Sequence, residues 1–191
     1  MHRSDVRFHF VGLGGGGCNV VEGIHAKGVQ GRFTCITHPE RPHLPKQIQF
    51  LKFPSLGELE RRSPRGVPDM TRTFQLSDQI REVFSEGDTY ILFAGLGGYT
   101  GTKIVEQLIP WLLKDHHEFA VYCSIPFAFE GERRTIAVRL ADQFHSLPNF
   151  HYFDLESVRE KYFDFTVTET GVEFWNLFKK TFPEGDGYRE A

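Results

Sequence analysis

Cysteine is scarce in this 191-residue chain: Cys18, Cys35 and Cys123 make an odd count and form no C-x-x-C pair. That excludes a disulfide framework and a cysteine-based zinc site, and it fits a reducing cytoplasm. Long apolar runs are missing too. The N-terminal stretch MHRSDVRFHFVG is too short for a signal or a membrane span, so the expectation is a protein without direct membrane insertion. Neither sign of charge dominates, with 22 basic against 25 acidic residues for a formal −3. Such a balance supplies no general field for nucleic acid or an anionic membrane, and any anion site must be local. Repeats, heptads, low-complexity tracts and a Ser-His-Asp pattern are also absent. His116 and His117 are adjacent, which points them to different faces and makes them a poor metal pair.

What is present is core. Hydrophobic residues make up 40% of the chain and aromatic residues 14%, with 19 Phe, enough for one well-packed domain at this length. Short apolar runs alternate with amphipathic ones. Strands are expected over Val6 to Val11, Arg32 to Thr37, Gln47 to Phe53, Thr89 to Ala94, Phe119 to Ser124 and Asn149 to Phe153. Helices are expected over Cys18 to Lys27, Thr71 to Ser85, Thr102 to Lys114, Glu132 to Ser146, Leu155 to Tyr162 and Thr168 to Lys180. The fold class that follows is α/β: a Rossmann-like, three-layer, doubly wound and mostly parallel six-stranded sheet. One domain spans residues 4–180, residues 53–70 read as a long loop, and residues 181–191 read as a flexible tail.

Two glycine-rich segments carry the chemistry. FVGLGGGGCNV at residues 10–20 follows the first strand and opens the first helix, where glycines permit a tight turn and close backbone approach while the helix N-terminus attracts phosphate. Gly12-x-Gly14-x-x-Gly17 also satisfies the dinucleotide fingerprint. An NAD-type oxidoreductase then requires an acidic residue near the end of the second strand. The sequence there reads CITHPE, with Thr37 and His38 at the strand end and Glu40 only after a proline. FAGLGGYTGTK at residues 93–103 is a second strand-to-helix glycine loop, with Lys103 one place late for a Walker motif. Two amide cradles at one sheet edge suit a polyphosphate clamped from both sides.

The segments GLGGGGCN and AGLGGYTGT, followed by SIPFAFEGERR at residues 124–134, resemble the tubulin/FtsZ family, and FtsZ more closely than tubulin. The resemblance spans roughly residues 6–180 and covers the nucleotide-binding half of that architecture. It implies GTP or GDP as ligand, with magnesium as a companion ion that Asp69 or Thr71 would approach through water. It places Gly14, Gly15, Gly16, Gly17, Cys18 and Asn19 along the phosphates and ribose, and Gly97, Gly98, Tyr99, Thr100 and Gly101 at the distal phosphates. Glu130 and Arg134 match the family's ribose-side pair, and Phe165 and Glu169 stand for its base-contacting residues.

Departures from the family pattern carry expectations of their own. Tyr99 replaces a glycine, so it either points to solvent or caps the ligand, and Lys103 either adds a cation near the phosphates or faces solvent. Cys18 beside the loop is also read as a small residue filling close-packed space. The family's catalytic acids enter from a segment that follows the last helix, where this sequence offers only Glu184 and Asp186 in TFPEGDGYREA. The expected function is therefore a nucleotide switch or assembly partner, weak in hydrolysis and polymerisation by itself, with a protein partner or self-association. The alternatives are a self-assembling FtsZ-like GTPase and the NAD-type enzyme.

Overall fold

A computed structural model describes residues 7–38, 41–53, 75–161 and 166–182. In chain order these form β1 (Phe8–Leu13), α1 (Gly14–Ala26), β2 (Arg32–Thr37), β3 (Ile48–Lys52), α2 (Asp78–Glu82), β4 (Thr89–Gly95), α3 (Tyr99–Lys114), β5 (Phe119–Ile125), a 3₁₀ turn (Ala128–Glu130), α4 (Glu132–Phe144), β6 (Phe150–Asp154), α5 (Leu155–Arg159) and α6 (Val167–Thr181). All six expected strands are present, each within two residues of its expected bounds. Of the expected helix over 71–85, residues 71–74 lie outside the described residues, and the described part is helical only over α2, with residues 75–77 and 83–85 outside the helix. Among the described residues no helix is long and apolar enough to cross a membrane.

The strands line up as β3-β2-β1-β4-β5-β6, every pair parallel. A parallel sheet covered on both faces needs central strands that are apolar throughout. All six residues of β1 and all seven of β5 are buried. Alternate side chains serve two cores. Val11, Leu13, Leu92, Ala94, Val121 and Cys123 pack under α2, α3 and α4. Phe8, Phe10, Ile91, Phe93, Ala120 and Tyr122 pack under α1 and α6, with Trp175 and Phe178 stacked at 4.9 Å between ring centres. The phenylalanine richness is thus spent mainly inside, with Phe129, 77% exposed, the clear exception among the described residues.

Sequence order reverses in space between β1 and β4. The chain leaves β1 toward β2 on one side and leaves β4 toward β5 on the other. At such a switch point the two following loops diverge and open a crevice at the carboxyl ends of the strands. Those two loops are the glycine-rich segments.

One buried group in β1 sets an acid limit. His9 is 1% exposed, and its Nε2 lies 2.8 Å from Thr34 Oγ1. Thr34 Oγ1 in turn donates to Gln49 Oε1 at 3.3 Å, so Nε2 carries the proton and Nδ1 is left bare without a partner. Burial, then the nearby Arg32 charge, pushes the His9 pKa down to about 4. The folded state therefore resists the proton that the unfolded chain accepts near pH 6.5. Stability present above pH 6.5 is lost as pH falls toward 4, by about 3 kcal/mol from this residue. Urea melts between pH 7 and 4.5 should show that fall, and His9→Phe should flatten the slope; an unchanged slope contradicts the assignment.

Candidate functional site: the crevice between two glycine loops

Helix α1 starts directly from β1. Gly14 turns the chain with a φ of +72°, a region that other residues rarely enter. The helix then lies so close to the sheet that a Cβ on Gly17 would stand 2.0 Å from the Phe93 carbonyl oxygen of β4, and one on Gly12 2.7 Å from the Cys18 backbone. The second loop is wedged in the same way. A Cβ on Gly101 would meet Gly95 O at 2.8 Å, one on Gly14 would meet Gly101 N at 3.0 Å, and Gly97, with φ +85°, packs against Pro126 and Arg133. The two helix starts therefore touch.

Other glycines have no such reason to be small. A Cβ on Gly15 or Gly98 would meet nothing within 4 Å, and one on Gly16 would make only ordinary contacts at 3.7 Å. Gly15 and Gly16 are exposed, and Gly98 and Thr100 half-exposed. Of these, Gly16 lines the crevice.

The helix ends differ from the rest of the protein in their electrostatics. Ser77, Asp154 and Thr166 cap α2, α5 and α6 with a side-chain oxygen, and each of those helices carries an acidic residue in its first turn. Helix α4 has Glu132 there. Helices α1 and α3, of 13 and 16 residues, have neither a side-chain cap nor a first-turn acid. Among the described residues their first turns thus lack a protein anion, and they converge on one place. Thr102 Oγ1 holds the second loop by accepting from Gly97 N at 2.9 Å.

A cavity of about 220 Å³ extends from the loops, lined by Gly16, Asn19, Gly95, Ser124, Glu130 and Thr170 among others. Glu130 is fixed by Phe127 N, which donates to it at 3.1 Å, and Arg133 stands 3.6 Å away. A second cavity of about 270 Å³, walled by Val20, Ile24, Val172 and Trp175, shares Asn19, Val20 and Gly171 with the first. The two cavities thus share a wall, and their linings bring together Glu130, Ser124, Thr170 and apolar side chains.

Several side chains named from the sequence sit elsewhere. Tyr99 neither faces solvent nor caps the crevice; it is 4% exposed, in the core edge-on to Phe53. The Cys18 thiol points into the core toward Gly12 O at 3.6 Å, as the close-packing expectation has it. Arg134 is drawn away by Asp154, to which it donates through two nitrogens, one at 2.8 Å, and by Pro126 O. Its guanidinium holds the Asp154 carboxyl below the usual carboxylate range. Arg134 thereby braces the segment that carries Glu130. Glu169 folds back on its own helix, accepting from Thr166 N at 2.8 Å, and Thr170 and Gly171 line the cavity instead. Lys103 is buried beside Glu106, 3.2 Å away, between α3 and α4. Phe165, Glu40, Asp69, Thr71, Glu184 and Asp186 lie outside the described residues, as does the tail from residue 183. The sequence reading missed Ser124, Thr170 and Arg41; Arg41, a lone basic residue just past the second strand, spans the start of α1.

No family model matches the chain. It is 29% identical over 135 residues to the cell division protein FtsZ of Aquifex aeolicus and 30% identical over 131 residues to that of Helicobacter pylori. Each alignment covers 65% of this chain, and 35% and 33% of the respective relatives. Among solved structures, an empty FtsZ dimer of M. jannaschii superposes with a TM-score of 0.68 at 16% identity, covering 94% of this chain and 54% of that one. The chain is tubulin/FtsZ-like. TubZ of bacteriophage PhiKZ gives a TM-score of 0.61 at 16% identity, over 95% of this FtsZ-like chain and 63% of TubZ. The chain thus spans about a third of the length of the curated relatives it matches.

The packing separates two kinds of glycine, and stability measurements should do the same. Gly17→Ala is expected to cost about 3 kcal/mol or more, because backbone atoms must move. Gly15→Ala, in an open helical position, should fall within about 1 kcal/mol of the parent, on the stable side. Equal losses in urea denaturation would contradict this reading of α1 against β4.

Proposed function

We propose that residues 4–180 form a nucleotide-binding unit that takes GTP or GDP between the two glycine loops and acts as a switch or assembly partner. The observation that carries the reading is the pair of uncapped, acid-free helix N-termini meeting at the switch point, beside a cavity that presents Glu130. Two such ends offer converging amides and positive potential to a chain of phosphates. Glu130 accepts from sugar hydroxyls, the glycines without Cβ contacts admit phosphate oxygens, and magnesium, when bound, would screen phosphate charge. The likeness to FtsZ proteins supports guanine as the base.

The nicotinamide reading fares worse on the same residues. The described end of β2 offers Thr37 and His38 but no carboxylate for a ribose, and a second glycine loop has no task there. Thermal shift with GTP, GDP, NAD(H) and NADP(H) separates the two. A ligand at a hundredfold excess over its Kd stabilises by about 2.7 kcal/mol, so guanine nucleotides should raise the melting temperature and the dinucleotides should not. The converse result overturns the proposal. Gly98→Val should abolish the shift while the unliganded protein melts near the parent temperature, since Gly98 has an extended backbone that valine accepts and an open Cβ position.

Turnover is expected to be negligible for the isolated chain. Glu130 is the one carboxylate among the described residues lining the cavity, and it already accepts from Phe127 N. No described acid stands at the loops to orient a water for attack. The self-assembling GTPase reading draws on relatives whose structures include protofilaments, such as the GDP form of Bacillus thuringiensis TubZ. Phosphate release measured over a protein-concentration series decides between them. Flat, near-zero turnover agrees with the switch, and turnover per molecule that rises with concentration establishes assembly-completed catalysis.

A further inference from the structure

Arg41 reaches across from the β2–β3 connection and makes three contacts on α1. Its Nη1 donates to Gly15 O at 3.2 Å, its Nη2 donates to Asn19 Oδ1, and its Nε pairs with Glu22 Oε1 at 2.7 Å. The side chain is only 24% exposed. A guanidinium has donors and no acceptor, so the Asn19 atom facing it must be the carbonyl oxygen. The amide NH2 is then turned the other way. Among the described residues Asn19 Nδ2 meets no acceptor, and Asn19 belongs to the wall that the two cavities share.

We propose that Arg41 is a positioning residue that locks the Asn19 carboxamide as a hydrogen-bond donor, so that the crevice selects a purine with a ring carbonyl over one with an exocyclic amine. The proposal rests on the nucleotide reading above. A carboxamide is nearly symmetric in shape, and when nothing holds it, rotation by half a turn offers its oxygen to an amine. Arg41 removes that freedom. With the amide fixed, an amine brought against the NH2 sets donor against donor and leaves both unpaired, which is the costly half of hydrogen-bond selectivity. Glu22 neutralises the guanidinium and orients it through Nε, so Arg41 acts through Asn19 and adds little net charge to the crevice.

Calorimetry on the full chain with GDP, IDP and ADP tests this, because IDP differs from ADP at the ring position in question and lacks the second amine of GDP. The parent should bind GDP and IDP at least about tenfold more tightly than ADP. Arg41→Ala should shrink the IDP-to-ADP preference to within about threefold, and Arg41→Lys, whose single ammonium cannot span all three acceptors, should keep part of it. Melting curves confirm that the half-buried surface substitution leaves the fold intact. Equal binding of IDP and ADP by the parent overturns the inference while leaving the nucleotide reading in place. A uniform loss for all three ligands in Arg41→Ala, with the preference kept, also overturns it and reduces Arg41 to a brace. Failure of all three to bind the parent overturns the nucleotide reading itself.

Discussion

The contact that everything at the crevice depends on is the approach of α1 to β4, where the Phe93 carbonyl comes within 2.0 Å of the position a Gly17 Cβ would occupy. Only a helix whose first turn has no side chain against the sheet can start so low on it. Lying there, it brings Gly14 against Gly101, and the starts of α1 and α3 end up side by side. Two helix dipoles of the same sign do not choose to meet. Close glycine packing and the buried strands β1 and β4 hold them together, and a bound anion would relieve the electrostatic cost of the pairing.

Around that contact the rest of the protein acts as a frame. The two cores fix the sheet from both faces, and the second glycine loop is held both from β5 and from the helix it starts. Leu96 N donates to Ser124 O at 3.0 Å, and Thr102 accepts from Gly97 N. The Arg134–Asp154 pair ties the 3₁₀ turn to the end of β6, so that Glu130 is presented by a braced segment. Exposed pairs of this kind add modestly to stability, and their value here lies in orientation.

The fold was largely legible because a doubly wound sheet writes itself as apolar runs bounded by glycine and proline. The expected strand over Arg32 to Thr37 coincides with β2, since the run Phe33, Thr34, Cys35, Ile36 and Thr37 is rich in aromatic and β-branched residues that favour a strand. Helix starts were harder. Helices α1 and α3 begin at Gly14 and Tyr99, three or four residues before the expected positions, because glycine is penalised by propensity yet is the residue that close packing demands there. The two glycine loops were legible as one candidate anion cradle because their pattern is local. Side-chain placement was not legible where the partner is distant in sequence: Tyr99 packs on Phe53, Arg134 pairs with Asp154, and Arg41 reaches back to Asn19. No local pattern announces such pairings.

A chain of phosphates held between the two glycine loops must meet the amides opening α1 and α3 together. Nuclear magnetic resonance reads this directly, through the backbone amide signals of labelled protein during titration with GDP. The signals of Gly15, Gly16, Gly17, Tyr99 and Thr100 should move along a single binding curve. Movement in one loop alone, or movement confined to the Lys27 and Trp175 end of the apolar cavity, would contradict it.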